Sequence, residues 1–170
     1  MSEMRSHFEA REKAFGANPV TSFMLQYGRD YTISAHTYIG PREEPGACFM
    51  NATHRAVFDS RLTYVEGYVF IYGLPIQHAW CADAEGFVID PTITDNNDGR
   101  IGGYFGVPFL TEYVKKACKA NGIYGVLDYF YAGKTAPKLY ELGLAAGQAW
   151  LLERPARRNR SKTRTRKAVA

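Results

Sequence analysis

At 170 residues, 46% hydrophobic and 14% aromatic, the chain has the length of one domain and enough apolar mass for one core. No apolar run reaches the roughly 18 residues of a membrane-spanning helix, and three cysteines (Cys48, Cys81, Cys118) with no CxxC pair indicate neither a disulfide frame nor a zinc knuckle. The net charge of +4 is unevenly spread: eight of the 21 basic residues lie in 154–170, which holds no acid, leaving 13 basic against 17 acidic residues in 1–153.

Residues 3 to 15 form a predicted short polar helix, ended by the Gly16–Asn18–Pro19 cluster. From Thr21 to Ile39 the density of β-branched and aromatic residues predicts one or two strands, broken near Gly28–Arg29–Asp30. Gly40 to Gly46, with two prolines, is a loop. A helix is expected from Cys48 to Asp59, with Phe49, Ala52, Ala56 and Val57 on one side. Leu62 to Tyr72 reads as a strand. A hairpin begins at Pro75, with arms Ile76 to Ala82 and Phe87 to Pro91.

A polar linker, Thr92 to Gly103, leads to a helix over Phe109 to Asn121, closed by Gly122. Ile123 to Ala132 is ambiguous between strand and irregular structure; Ala136 to Leu142 reads as a short helix and Ala145 to Leu152 as a last packed segment. The class is α+β: a central helix carrying the cysteine, packed on an antiparallel sheet. Residues 1–153 form a single catalytic domain. The basic tail 154–170 has no large apolar residue except Val169 and is expected to be disordered. It is either a contact for nucleic acid or another polyanion, or a solubilising end. The polar start, Met1 to Lys13, has no apolar signal core, so a cytoplasmic protein without membrane contact is expected.

Cys48 follows a Pro/Gly loop and opens a predicted helix, where free N–H groups and the helix dipole favour a thiolate by about 0.3–1 kcal/mol. Cys81 and Cys118 fall inside a predicted strand and helix, the usual setting of an inert thiol. His78 and Asp90 lie on the two arms of the hairpin. With Ala84 to Gly86 as a three-residue loop, Asp83 faces Phe87 and all facing positions sum to 170. His78 and Asp90 then share a face, one diagonal step apart; a four-residue loop would put them on opposite faces. Cys48 would be the nucleophile, His78 the base and Asp90 the group that orients the imidazole. A metal centre built from Cys48, His78, Cys81 and Asp90 is disfavoured. His78 and Cys81 are three apart on a strand and point to opposite faces.

His78–Ala79–Trp80, followed by Gly86 to Thr92 with Asp90–Pro91–Thr92 at its end, resembles the signature of the transglutaminase-like superfamily. Cys48–Phe49–Met50–Asn51 is similar to a run in the arylamine N-acetyltransferases, which share that core. The resemblance covers about Ala47 to Thr92. The His-to-Asp spacing is shorter than is usual in transglutaminases, and the basic-glycine-glycine lead-in of the acetyltransferases is absent. It implies a papain-like or transglutaminase-like thiol enzyme, a hydrolase or acyltransferase acting on an amide or isopeptide-type bond of a peptide, amide or acyl substrate, with no cofactor. By analogy with papain-like enzymes, Gln26 is a candidate oxyanion donor; the alternative is a plain surface or strand glutamine. Asn51 either bridges helix to cleft or sits in a solvated turn. Trp80 either roofs the imidazole or is a core tryptophan, and Glu66 either meets a substrate amine or is an exposed edge acid. The competing reading of the whole chain is a catalytically silent nucleic-acid- or partner-binding protein, using the same fold and its basic tail.

Overall fold

The computed structural model describes residues 3–17, 19–33, 42–94 and 99–127. In these, helices α1 (Glu3–Phe15) and α2 (Pro19–Tyr27) precede a short strand β1 (Arg29–Tyr31). The helix α3 (Cys48–Phe58) follows, then β2 (Thr63–Ile71), β3 (Leu74–Ala82), β4 (Val88–Ile89), β5 (Ile101–Phe109) and α4 (Thr111–Asn121). The class is α+β. One antiparallel sheet runs in the order β1-β5-β2-β3-β4. It curls until its two edges meet: Thr32 N–H donates to the Gly86 carbonyl and Val88 N–H to the Thr32 carbonyl, 3.2 and 2.9 Å.

Alternation along the strands sorts the apolar residues into two cores. Tyr31, Val65, Val69, Trp80, Ala82, Val88, Ile101 and Tyr104 fill the inside of the curl. Tyr64, Ala79, Cys81, Phe105, Val107 and Phe109 face outward, where residues of all four helices cover them. Full burial of large side chains such as Trp80, Phe105 and Phe109 contributes roughly 2–3 kcal/mol each. The sheet layers lie close because Gly106 has no side chain: a Cβ there would fall 2.5 Å from the Trp80 ring and 2.8 Å from the Glu66 carbonyl.

Three sequence expectations need correction. Residues 19–27 are helical, not extended. Val20, Phe23, Met24 and Tyr27 recur at helical spacing and pack into the outer core, and this period outweighs strand propensity. Of the extended segment expected there, the described part is β1 and the bridge at Thr32. Second, the linker read over 92–103 hides the start of β5, which lies between β1 and β2. Gly102 and Gly103 read as linker, yet the close layers require glycine at Gly106, and Pro108 lies beyond the stretch paired with β1. Third, Val57 is 39% exposed; the buried side of α3 is Cys48, Asn51, Ala52, Thr53 and Ala56.

The helices α1, α3 and α4 fall where the sequence placed them, and Gly122 ends α4 in the left-handed conformation. Residues 123–127 are irregular. The helix expected over 136–142, the segment 145–152 and the tail 154–170 lie outside the described residues. Among the described residues no helix is long and apolar enough to cross a membrane.

Candidate active site

The hairpin between β3 and β4 sets the first pair of side chains. Asp83 accepts the Glu85 and Phe87 N–H groups through its carboxylate, and its own N–H donates to the Phe87 carbonyl at 3.1 Å. Gly86 closes the loop at φ +88°, a conformation that disfavours any residue with a Cβ. Cys81 therefore faces Ile89, and Ala82 faces Val88. Both pairs sum to 170, so the odd loop length holds and His78 and Asp90 share the inner face.

His78 Nε2 lies 2.6 Å from Asp90 Oδ2, with both side chains buried. Asp90 is held from three further sides. Its Oδ1 accepts the N–H groups of Thr92 and Ile93 at 2.8 and 2.9 Å, and its Oδ2 accepts the Tyr104 hydroxyl at 2.9 Å. The two N–H bonds form an Asx-type turn that ends β4 after two residues and carries the chain away from β3.

That early end opens the edge of β3 beside His78, and the N-terminus of α3 enters there. The helix lies on the outer face, with Ala52 and Ala56 in the core that holds Ala79 and Cys81. The helix therefore does not cross the His78 face. It reaches His78 through its first residue, Cys48. The Cys48 side chain is a further polar neighbour of the imidazole, and the two residues line one groove. Burial pulls the His78 pKa down, but the Asp90 charge, the Asp90 hydrogen bond and the Cys48 contact raise it overall from 6.5 to about 9.

Asn51 fixes this approach. It is 1% exposed, and its Nδ2 donates to the Glu44 carbonyl (2.8 Å) and to Thr92 Oγ1 (3.0 Å). Glu43 N–H donates to the Pro91 carbonyl at 2.9 Å, so the strap before α3 is tied to the turn after β4. Asn51 thus bridges elements rather than facing solvent. Trp80 is fully buried on the His78 face, its ring stacked at 6.3 Å and 13° from the imidazole. A groove of about 830 Å³ runs along the open edge, lined by Arg42, Pro45, Gly46, Cys48, Phe49, Tyr68, Pro75, Ile76, Gln77, His78, Thr92 and Ile93.

Two candidates are not brought to the groove. Gln26 is exposed on α2, a helix packed on α1 and β5. Its candidacy as oxyanion donor came from analogy with papain-like enzymes alone, and it stands on the surface of a helix. Glu66 is neither an edge acid nor a groove residue. It is fully buried on the outer face, accepting the Tyr64 hydroxyl and the Val126 and Leu127 N–H groups at 2.8, 2.7 and 2.9 Å. Cys81 donates its thiol to the Ala52 carbonyl, and burial pushes its pKa up, the setting of an unreactive cysteine. Among the described residues no cluster of three or more His, Cys, Asp or Glu could hold a metal.

The sequence reading missed Tyr104, Thr92 and Arg42. Tyr104 lay in the unrecognised strand. Thr92 had a legible signal, since an aspartate two residues before a threonine can turn the chain through its own carboxylate. Arg42 carried none, because a loop arginine becomes a groove residue only when the strap is folded back. No family model, no curated protein and no solved structure matches this chain.

Proposed function

We propose that this protein is a thiol-dependent hydrolase or acyltransferase acting on an amide or isopeptide-type bond, on a papain-like or transglutaminase-like core. The observation that carries the reading is the line Cys48–His78–Asp90 at the wall of one groove, with the thiol at a helix start and the carboxylate fully hydrogen-bonded. With the proton on His78, Cys48 Sγ bonds to the substrate carbonyl carbon. The C–N bond breaks, and the leaving amine takes that proton from His78. Water or a second amine, deprotonated by His78, then attacks the thioester and the thiol is restored. Asp90 keeps its charge and holds the imidazolium. The Cys48 N–H, at the first position of α3, has no acceptor within the helix and is placed to meet the oxyanion.

The experiment is competitive alkylation with a low concentration of iodoacetamide near neutral pH, read by peptide mass spectrometry. It is paired with p-nitrophenyl acetate as a general acyl probe. Cys48 should react well ahead of Cys118 and Cys81 and carry the acetyl group. The Cys48→Ser chain should lose the acyl burst while keeping its melting temperature. Equal reactivity of Cys48 and Cys118 would end the proposal. A screen with Cys48→Ala as a trap then identifies the substrate.

A further inference from the structure

The groove wall is chemically uneven. Pro45, Phe49, Tyr68, Pro75, Ile76 and Ile93 make it largely apolar and aromatic. Gln77 and Thr92 are neutral. Cys48 lies beside His78, whose positive charge is balanced by the Asp90 carboxylate. Behind them Asp90 is 3% exposed, its oxygens occupied by His78, Tyr104 and two backbone N–H groups. Among the described lining residues the remaining charge is the Arg42 guanidinium, which forms no hydrogen bond or ion pair with another described residue. Glu43 and Glu44 flank the same strap, but neither lines the groove. The setting is the more pointed because positions 1–153 carry a net negative charge, 13 basic against 17 acidic residues. A positive groove on such a body draws an anionic ligand against the general field.

Resting on the thiol-enzyme reading above, we propose that the substrate of Cys48 is an amide whose acyl portion carries a carboxylate, paired with Arg42, beside an apolar group packed on Phe49 and Ile76. Arginine suits this role: its fork binds a carboxylate through two parallel hydrogen bonds and keeps its charge at any working pH. The apolar wall lowers the local dielectric, so the pair is stronger there than on open surface.

The test compares reagents that differ only in charge, with the full chain and no need of the natural substrate. Cys48 is alkylated with iodoacetate against iodoacetamide. A longer pair, N-iodoacetyl-4-aminobutyrate against its amide, carries the carboxylate further along the groove. Wild type is compared with Arg42→Gln and Arg42→Lys, with Cys118 as the control thiol in the same molecule. The wild-type preference for the longer carboxylate reagent should fall about threefold or more in Arg42→Gln, persist in Arg42→Lys and shrink with added salt. The iodoacetamide rate is the internal reference in each variant, so a change in the thiol itself cancels in the ratio. An identical carboxylate-to-amide ratio in wild type and Arg42→Gln would overturn the carboxylate assignment while leaving Cys48 as nucleophile. Failure of iodoacetamide itself to select Cys48 over Cys118 would instead remove the enzyme reading, and this inference with it.

Discussion

Asp90 Oδ2 accepts two donors at once, His78 Nε2 and the Tyr104 hydroxyl. Removing the phenol in Tyr104→Phe leaves the imidazole as the one side-chain donor on that oxygen and strengthens its hold on the proton. The His78 pKa should therefore move above its wild-type value of about 9, as read by NMR titration of the ring. Asn51 acts at one remove, as a positioning residue. Asn51→Ala removes the bond to the Glu44 carbonyl and leaves the buried Thr92 hydroxyl without its Asn51 donor, and should cost about 1–3 kcal/mol in chemical denaturation. It should also slow Cys48 alkylation while leaving Cys118 alkylation unchanged. A merely structural role would lower stability without separating the two cysteines.

At the scale of elements, the three-residue loop between β3 and β4 carries the chemistry. Strand side chains alternate, so one residue more or less in the loop exchanges the two faces of β4. Insertion of one glycine after Glu85 should separate Asp90 from His78, turn Val88 out of the inner core and bring Cys48 alkylation down to the Cys118 rate. Gly86→Ala keeps the loop length and meets no atom within 4 Å of the new Cβ. Its cost is the positive φ alone, about 1–2 kcal/mol, and it should leave Cys48 reactivity intact. A melting curve beside an alkylation time course separates these outcomes. The short β4 has its own part: a longer strand would cover the edge of β3 over which Cys48 reaches His78.

For the molecule as a whole, the raised His78 pKa links stability to pH. The folded protein holds this proton up to about pH 9, whereas an unfolded histidine releases it near 6.5. Between those values the native state binds more protons than the unfolded one, so stability falls as pH rises. The contribution is complete below about pH 6.5 and lost as pH passes 9, and amounts to about 3 kcal/mol for a shift of this size. In Asp90→Asn the main cause of the upward shift is gone. Urea denaturation across this range should give a flatter profile for that variant, which should also slow the acyl burst by about 10⁴-fold, the size seen when such a carboxylate is replaced in serine proteases.

How much of this was legible beforehand depended on how local the cause was. Local chemistry decided α3 and α4, the β2 and β3 strands, and the loop from Ala84 to Gly86. A Pro/Gly loop before a helix, a glycine at a left-handed position and period-two alternation act within a few residues and were readable from the sequence itself. From them came Cys48, His78, Asp90 and the face the last two share. Tertiary contact decided the rest. The strand β5 is stabilised by neighbours on both sides rather than by its own propensity, so its glycines read as linker. The helix α2 resolved an ambiguity between two periods that only the outer core could arbitrate. Glu66 looked like an exposed acid because the segment that supplies two of its hydrogen bonds lies 60 residues further on. Which face of the sheet α3 covers, and that its first residue passes over an open edge, follow from where β4 ends. That end is set by Asp90 accepting the Thr92 and Ile93 N–H groups while it holds His78, a double use that no single stretch of chain displays.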